Sequence, residues 1–128
     1  MKTRAISIWQ PHANMIATGQ QTIYSCAWPT KHRGDLLICA ARRVHGPAVE
    51  LDLQPPAQGY LEGAALAWAD LWACRPMQRE DAEDACVDDW LGRFAWCLRD
   101  VRPLAVPFPV QGQQGLFWVD VATGEAVR

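Results

Sequence analysis

Several things are missing from this chain, and each absence narrows the field. No apolar run approaches the roughly 20 residues that cross a bilayer, so no membrane partner is expected. The basic start, Met1-Lys2-Thr3-Arg4-Ala5, leads into a strand-like pattern rather than a long apolar stretch, and no signal peptide is expected. The five cysteines, Cys26, Cys39, Cys74, Cys86 and Cys97, are odd in number and include no C-x-x-C pair. That spacing suggests neither a metal site nor a disulfide framework. Reduced thiols packed as small core hydrophobes in a cytoplasmic protein are the expectation, with no metal and no cofactor. Positive charge is also lacking: the net charge is −2 and the pI about 5.8. A general duplex binder carries a basic face, so any nucleic-acid binding here should be local, in a cleft reading a base or a short single strand. No phosphate-cradling glycine loop is present, and neither Ser7 nor Ser25 sits in a nucleophile elbow.

What remains is an ordinary globular composition, with half of the residues hydrophobic and a fifth charged. At 128 residues the chain is read as a single domain, 1–128, able to bury a core without staples. Its seven tryptophans are expected mostly in the core or on a cleft wall. No internal repeat or low-complexity tract is visible.

Ala5-Ile6-Ser7-Ile8-Trp9 is β-prone, and Gln10-Pro11 then opens a helix over roughly 11–18, with Ala13, Ile16 and Ala17 at helical spacing. Gly19 falls where a left-handed C-terminal cap belongs. Thr22 to Trp28 reads as a strand ended by Pro29, and Leu36 to Ala41 as a buried strand. Arg42 to Gly59 is taken as one short helix and a loop. Residues 64–74 are ambiguous, because alanine content favours helix whereas alternation favours strand. As a strand, Leu66, Trp68, Trp72 and Cys74 would share one face. Gln78 to Trp90 is read as a surface helix, roughly 79–88, with Glu80, Asp81, Glu83 and Asp84 on a solvated face and Ala82, Ala85 and Cys86 as its buried stripe. Phe94–Leu98 and Gly115–Val121 read as further strands, with a proline-rich segment, 103–110, between them.

Residues 19–26, Gly19-Gln20-Gln21-Thr22-Ile23-Tyr24-Ser25-Cys26, lie between Ile8-Trp9-Gln10-Pro11 and Trp28-Pro29-Thr30-Lys31-His32-Arg33-Gly34. With the acidic segment after Arg75-Pro76-Met77 and the closing Phe108–Val119 stretch, this order resembles the ASCH domain of the PUA-like superfamily. The resemblance implies an α+β fold: a mixed β-barrel of about five or six strands, two or three flanking helices, and residues 64–74 as a central strand. The family signature is G-x-K-x-x-E-x-R. The glycine is kept as Gly19, but the three charged positions hold Gln21, Tyr24 and Cys26.

ASCH domains are generally thought to bind RNA or modified nucleosides beside the signature strand. Some remove the acetyl group from acetylcytidine, and others are reported as ribonucleases. The amidohydrolases use the signature Lys. Gln21 in that place takes no proton, and Tyr24 is a poor base at neutral pH. The resemblance therefore implies no catalytic residues of the family's type. The cleft residues it implies are Trp9, Gln10, Gln21, Tyr24, Cys26, Trp28, Lys31 and Arg33. Trp9, Tyr24 and Trp28 would offer faces for stacking, Gln10 and Gln21 amides for a base edge, and Arg33 with Lys31 a phosphate contact. Trp9 and Trp28 suit core as well as cleft, and Arg33 suits a surface ion pair as well as a ligand. Single-stranded RNA or a nucleoside is the expected partner. Two alternatives stay open: a hydrolase with a rewired site using Tyr24, Cys26 or Glu62, and a protein-interaction module. A thiol enzyme would need His12 or His32 beside Cys26.

Overall fold

A computed structural model describes residues 1–42 and 59–127. The short helix expected between Arg42 and Gly59 falls outside these residues. The described strands form one mixed sheet in the order β2-β5-β4-β3-β1-β6-β7. They are β1 (Lys2–Ile8), β2 (Ile23–Cys26), β3 (Gly34–Ala40), β4 (Ala64–Pro76), β5 (Phe94–Pro109), β6 (Leu116–Asp120) and the two-residue β7 (Ala126–Val127). Among the described residues, six substantial strands curl into a half-barrel, with two small helices, α1 (His12–Thr18) and α2 (Asp81–Asp84). Only β1 and β3 pair in parallel; every other ladder is antiparallel.

Both faces of the central strands are covered, which explains the unbroken apolar run of β3. Leu36, Ile38 and Ala40 join Ile6 and Ile8 in one core cluster under α1, whereas Leu37 and Cys39 join Ala5, Phe117 and Val119 on the other face. The period of two is thus intact, with core on either side. α1 occupies the expected turns: Ala13 and Ile16 are buried, and Gly19 closes the helix at φ +85° with its N–H on Ile16 O at 3.1 Å.

Strand wins over helix at 64–74, as the resemblance implied, but the shared face does not survive. Leu66 packs in the first cluster and Trp68 against the second. Register shifts interrupt β4 between Ala65 and Ala67, between Trp68 and Asp70, and between Leu71 and Ala73, and a bulge reverses which side the following residues face. Trp72 ends up half exposed, with the Arg99 guanidinium 5.4 Å from its ring centroid. Trp118 is covered in the same way by Arg4 at 4.5 Å. These two tryptophans are therefore neither core nor cleft wall, and their faces are covered by arginine.

The proline-rich segment is not a connection but the second half of β5. β2 has four residues and covers β5 only from Phe94 to Cys97. Beyond that point β5 has β4 on one side and an open edge on the other, where a missing N–H costs no ladder bond.

The expected helix over 79–88 shrinks to one turn. The Asp84 carbonyl accepts the Thr22 N–H at 3.1 Å instead of continuing the helix, and Cys86 takes φ +55°. Asp88 and Asp89 would also have stood at the negative end of the helix dipole. Nor is the acidic face wholly solvated. Asp81 is buried, accepts two bonds from Arg75 at 2.5 and 2.8 Å, and accepts the Gln78 N–H at 2.8 Å in the manner of a capping box. The Arg75 guanidinium holds the Asp81 carboxyl below the usual carboxylate range. A lowered folded-state pKa means that this group's stabilisation is fully present above the unfolded value of about 3.9 and is lost as pH falls through the folded value. The melting temperature of the wild type should therefore fall more steeply between about pH 4.5 and 2.5 than that of Asp81→Asn. Parallel curves for the two proteins would contradict this role.

Candidate functional site

A cleft of about 1210 Å³ opens beside β2. Its walls come from the end of β1 with Trp9, from β2, from the segment between α2 and β5, and from the loop joining β5 to β6. That loop lies close on β1: a Cβ at Gly112 would stand 2.6 Å from Ser7 Oγ. Gln113 and Gln114 of the same loop are exposed and line the cleft.

Trp9 and Trp28 both line this cleft and are each 49% exposed. The sequence left core and cleft open for these two, and the structure puts both on the wall. Trp28 is held from behind. The fully buried Trp96 donates from Nε1 to the Trp28 carbonyl at 3.0 Å, which fixes the backbone while leaving the indole outside.

Gln21 and Tyr24 also line the cleft, in more committed states than their sequence suggests. Gln21 is buried. Its Nε2 donates to Ile23 O at 2.9 Å, and its Oε1 lies 2.8 Å from His12 Nδ1. Because the amide nitrogen is spent on Ile23, Oε1 is the acceptor and His12 Nδ1 carries the hydrogen. Gln21 thus anchors β2 to α1 and orients His12, itself a cleft residue. Tyr24 is half buried, packed edge-on against Trp96 with ring centroids 5.7 Å apart. Burial pushes its phenol well above the ordinary value; nearby Cys26 adds to this and Arg93 opposes it. The hydroxyl stays neutral at physiological pH.

Four other residues implied by the resemblance stand elsewhere. Gln10 is fully buried, donating to Leu61 O at 2.8 Å and accepting the Asn14 N–H at 2.9 Å, so it closes the start of α1 where Pro11 has no side-chain group to offer. Cys26 is buried in the core cluster, and burial raises its pKa. Its backbone hydrogen bonds and Arg93 only partly offset that effect. His12 Nδ1 faces Gln21 Oε1, and His32 Nε2 lies 3.0 Å from Asp35 O, so neither of these ring nitrogens is directed at Cys26. Lys31 is exposed outside the lining, and Arg33 donates back to Thr30 O and His32 O of its own loop. All five cysteines are free; Cys39, the most deeply set by its environment, has its thiol pushed up to about 12 by burial.

Sequence reasoning missed Arg93. This side chain lines the cleft and is fixed to β2, donating from Nε to Ser25 Oγ at 2.5 Å and from Nη2 to Ser25 O at 3.1 Å. No sequence signal marks it, because the partner lies 68 residues away. The charged lining is balanced, with Arg42 and Arg93 against Asp88 and Asp89. Among the described residues no cluster of His, Cys, Asp or Glu suits a metal ion. No helix there is long and apolar enough to cross a membrane.

No protein-family model and no curated protein matches the sequence. Solved structures do match. The ASCH protein of Zymomonas mobilis is similar over 93% of this chain and 88% of its own, with a TM-score of 0.64 and 18% identity. Two substituted forms of that protein, one serine-to-alanine and one tyrosine-to-phenylalanine, match at TM-scores of 0.60 and 0.62, also at 18% identity. Together with the mixed, curled sheet, this likeness gives the chain an ASCH/PUA-like fold.

Proposed function

We propose that the cleft binds single-stranded RNA or a modified nucleoside, and that it does so without the lysine-dependent amidohydrolase chemistry. The observation that carries this reading is the pair of half-exposed indoles, Trp9 and Trp28, on the walls of one cleft. Indole faces stack on any base, each contact contributing about 1–3 kcal/mol. The amides of Gln113 and Gln114 supply donors and acceptors for base edges. Gln21 cannot serve as a general acid or base, and its amide is already held by Ile23 and His12. Acetylcytidine should accordingly be turned over no faster than background.

Binding of a fluorescent pentaribonucleotide across a salt series tests the reading. With Arg42 and Arg93 the cations of the lining, one or two phosphate contacts are expected. The logarithmic salt slope should then be shallow, about −0.7 to −1.4, and a duplex of equal length should bind more weakly. A slope steeper than about −3 would mean that binding runs over another, basic surface. No binding, with clear hydrolysis of acetylcytidine, would favour the rewired hydrolase.

A further inference from the structure

We propose that Arg93 is the phosphate-binding residue of the cleft, supplying from the start of β5 the fixed cation that β2 does not carry. The inference rests on the base-binding reading above and assigns that site a second ligand group.

The sheet register brings Arg93 to this place. Cys26 pairs with Phe94 across the β2–β5 ladder, so Arg93 enters one residue beyond, at the same end of the two strands. Its backbone is pinned on both sides: its N–H donates to Trp90 O at 3.2 Å, and its carbonyl accepts the Met77 N–H at 2.8 Å. The guanidinium is steered in turn by the two bonds to Ser25. Nε and one Nη2 hydrogen are thereby used. Among the described residues Arg93 makes no ion pair and no other side-chain hydrogen bond, although Asp88 and Asp89 line the same cleft. Its positive charge is also felt by Tyr24 and Cys26, whose pKa values it lowers against the effect of burial.

A half-buried guanidinium with a rigid base, a neutral anchor and unspent donors is built to receive an anion. Lysine in its place would offer a point charge on a flexible stem. With two half-exposed indoles on the walls of the same cleft, the anion of matching chemistry is a nucleotide phosphate.

The test compares the four ribonucleosides with their 3′,5′-bisphosphates, titrated by tryptophan fluorescence against wild type, Arg93→Gln and Arg93→Lys. The ratio of the two affinities within one protein is read, so that general loosening of the cleft cancels. In the wild type at least one bisphosphate should bind roughly 10- to 100-fold tighter than its nucleoside. Arg93→Gln should lower that ratio by roughly 5- to 10-fold, and Arg93→Lys should keep part of it. Nucleoside binding with no preference for the bisphosphate, or a preference that Arg93→Gln leaves intact, would overturn the role of Arg93 and leave base binding standing. If neither class of ligand binds the wild type, the role of Arg93 fails, and base binding is decided separately by the pentaribonucleotide titration. If both variants lose the fold, Arg93 is a structural clamp on Ser25 and the proposal is wrong.

Discussion

Trp96→Ala should cost about 3–5 kcal/mol of folding stability, and with it the cleft. Trp96 is fully buried at the centre of the main core cluster, and a truncation of this size leaves a cavity that the surrounding strands cannot close. Set against the roughly 5–15 kcal/mol that a domain has in total, the change should lower the melting temperature by roughly 10–20 °C. The loss has a second component. Trp96 faces Tyr24 across the β2–β5 ladder, meets its ring edge-on, and donates to the Trp28 carbonyl. One substitution therefore frees the back of Tyr24 and the backbone under Trp28. Calorimetry of Trp96→Ala beside Trp72→Ala separates burial from mere tryptophan content. Trp72 is 50% exposed and should cost no more than about 1 kcal/mol. Equal losses for the two variants would contradict this account of the core.

Gln21→Leu should be the second most damaging change, at about 2–4 kcal/mol, even though leucine fits an apolar wall. The substitution leaves His12 Nδ1 and the Ile23 carbonyl without their Gln21 partners in a buried site. A buried polar group left unpaired costs about 1–3 kcal/mol, far more than the net worth of the bond it made. Chemical denaturation of Gln21→Leu measures this directly. A midpoint within error of wild type, with unchanged cooperativity, would mean that Gln21 does not tie α1 to β2.

Those two residues mark how far the sequence could be read. The elements carried by strong local signals were legible: α1 with its Gly19 cap, the apolar run of β3, and the glycine-led strand that follows the helix. The order of motifs along the chain also pointed to the right fold. Side-chain fates were less legible, because they depend on partners far away in sequence. Gln10 and Gln21 looked like neighbouring ligand amides. One is closed by Leu61, 51 residues on, and the other by His12. Tyr24 reads as a face for stacking, and its edge-on packing with Trp96 is set by a partner 72 residues away. Arg93 could be seen as a cleft residue only once β2 and β5 were paired. In β4 the bulges defeated a simple parity argument, and in β5 the prolines looked like a break because an open strand edge cannot be inferred from composition. Helix α2 stops early for a tertiary reason as well, since Thr22 takes the carbonyl that the next turn needs.

The central claim is that ligand bases stack on Trp9 and Trp28. Selective nitrogen labelling of the tryptophans reads it most directly, since each indole N–H gives its own resonance. Titration with a pentaribonucleotide pool should shift the Trp9 and Trp28 signals and leave those of Trp72 and Trp118, which lie outside the cleft, in place. Trp96, bonded to the Trp28 carbonyl, should move only slightly. Shifts confined to Trp72 and Trp118, or a spectrum unchanged at saturating RNA, would contradict the account.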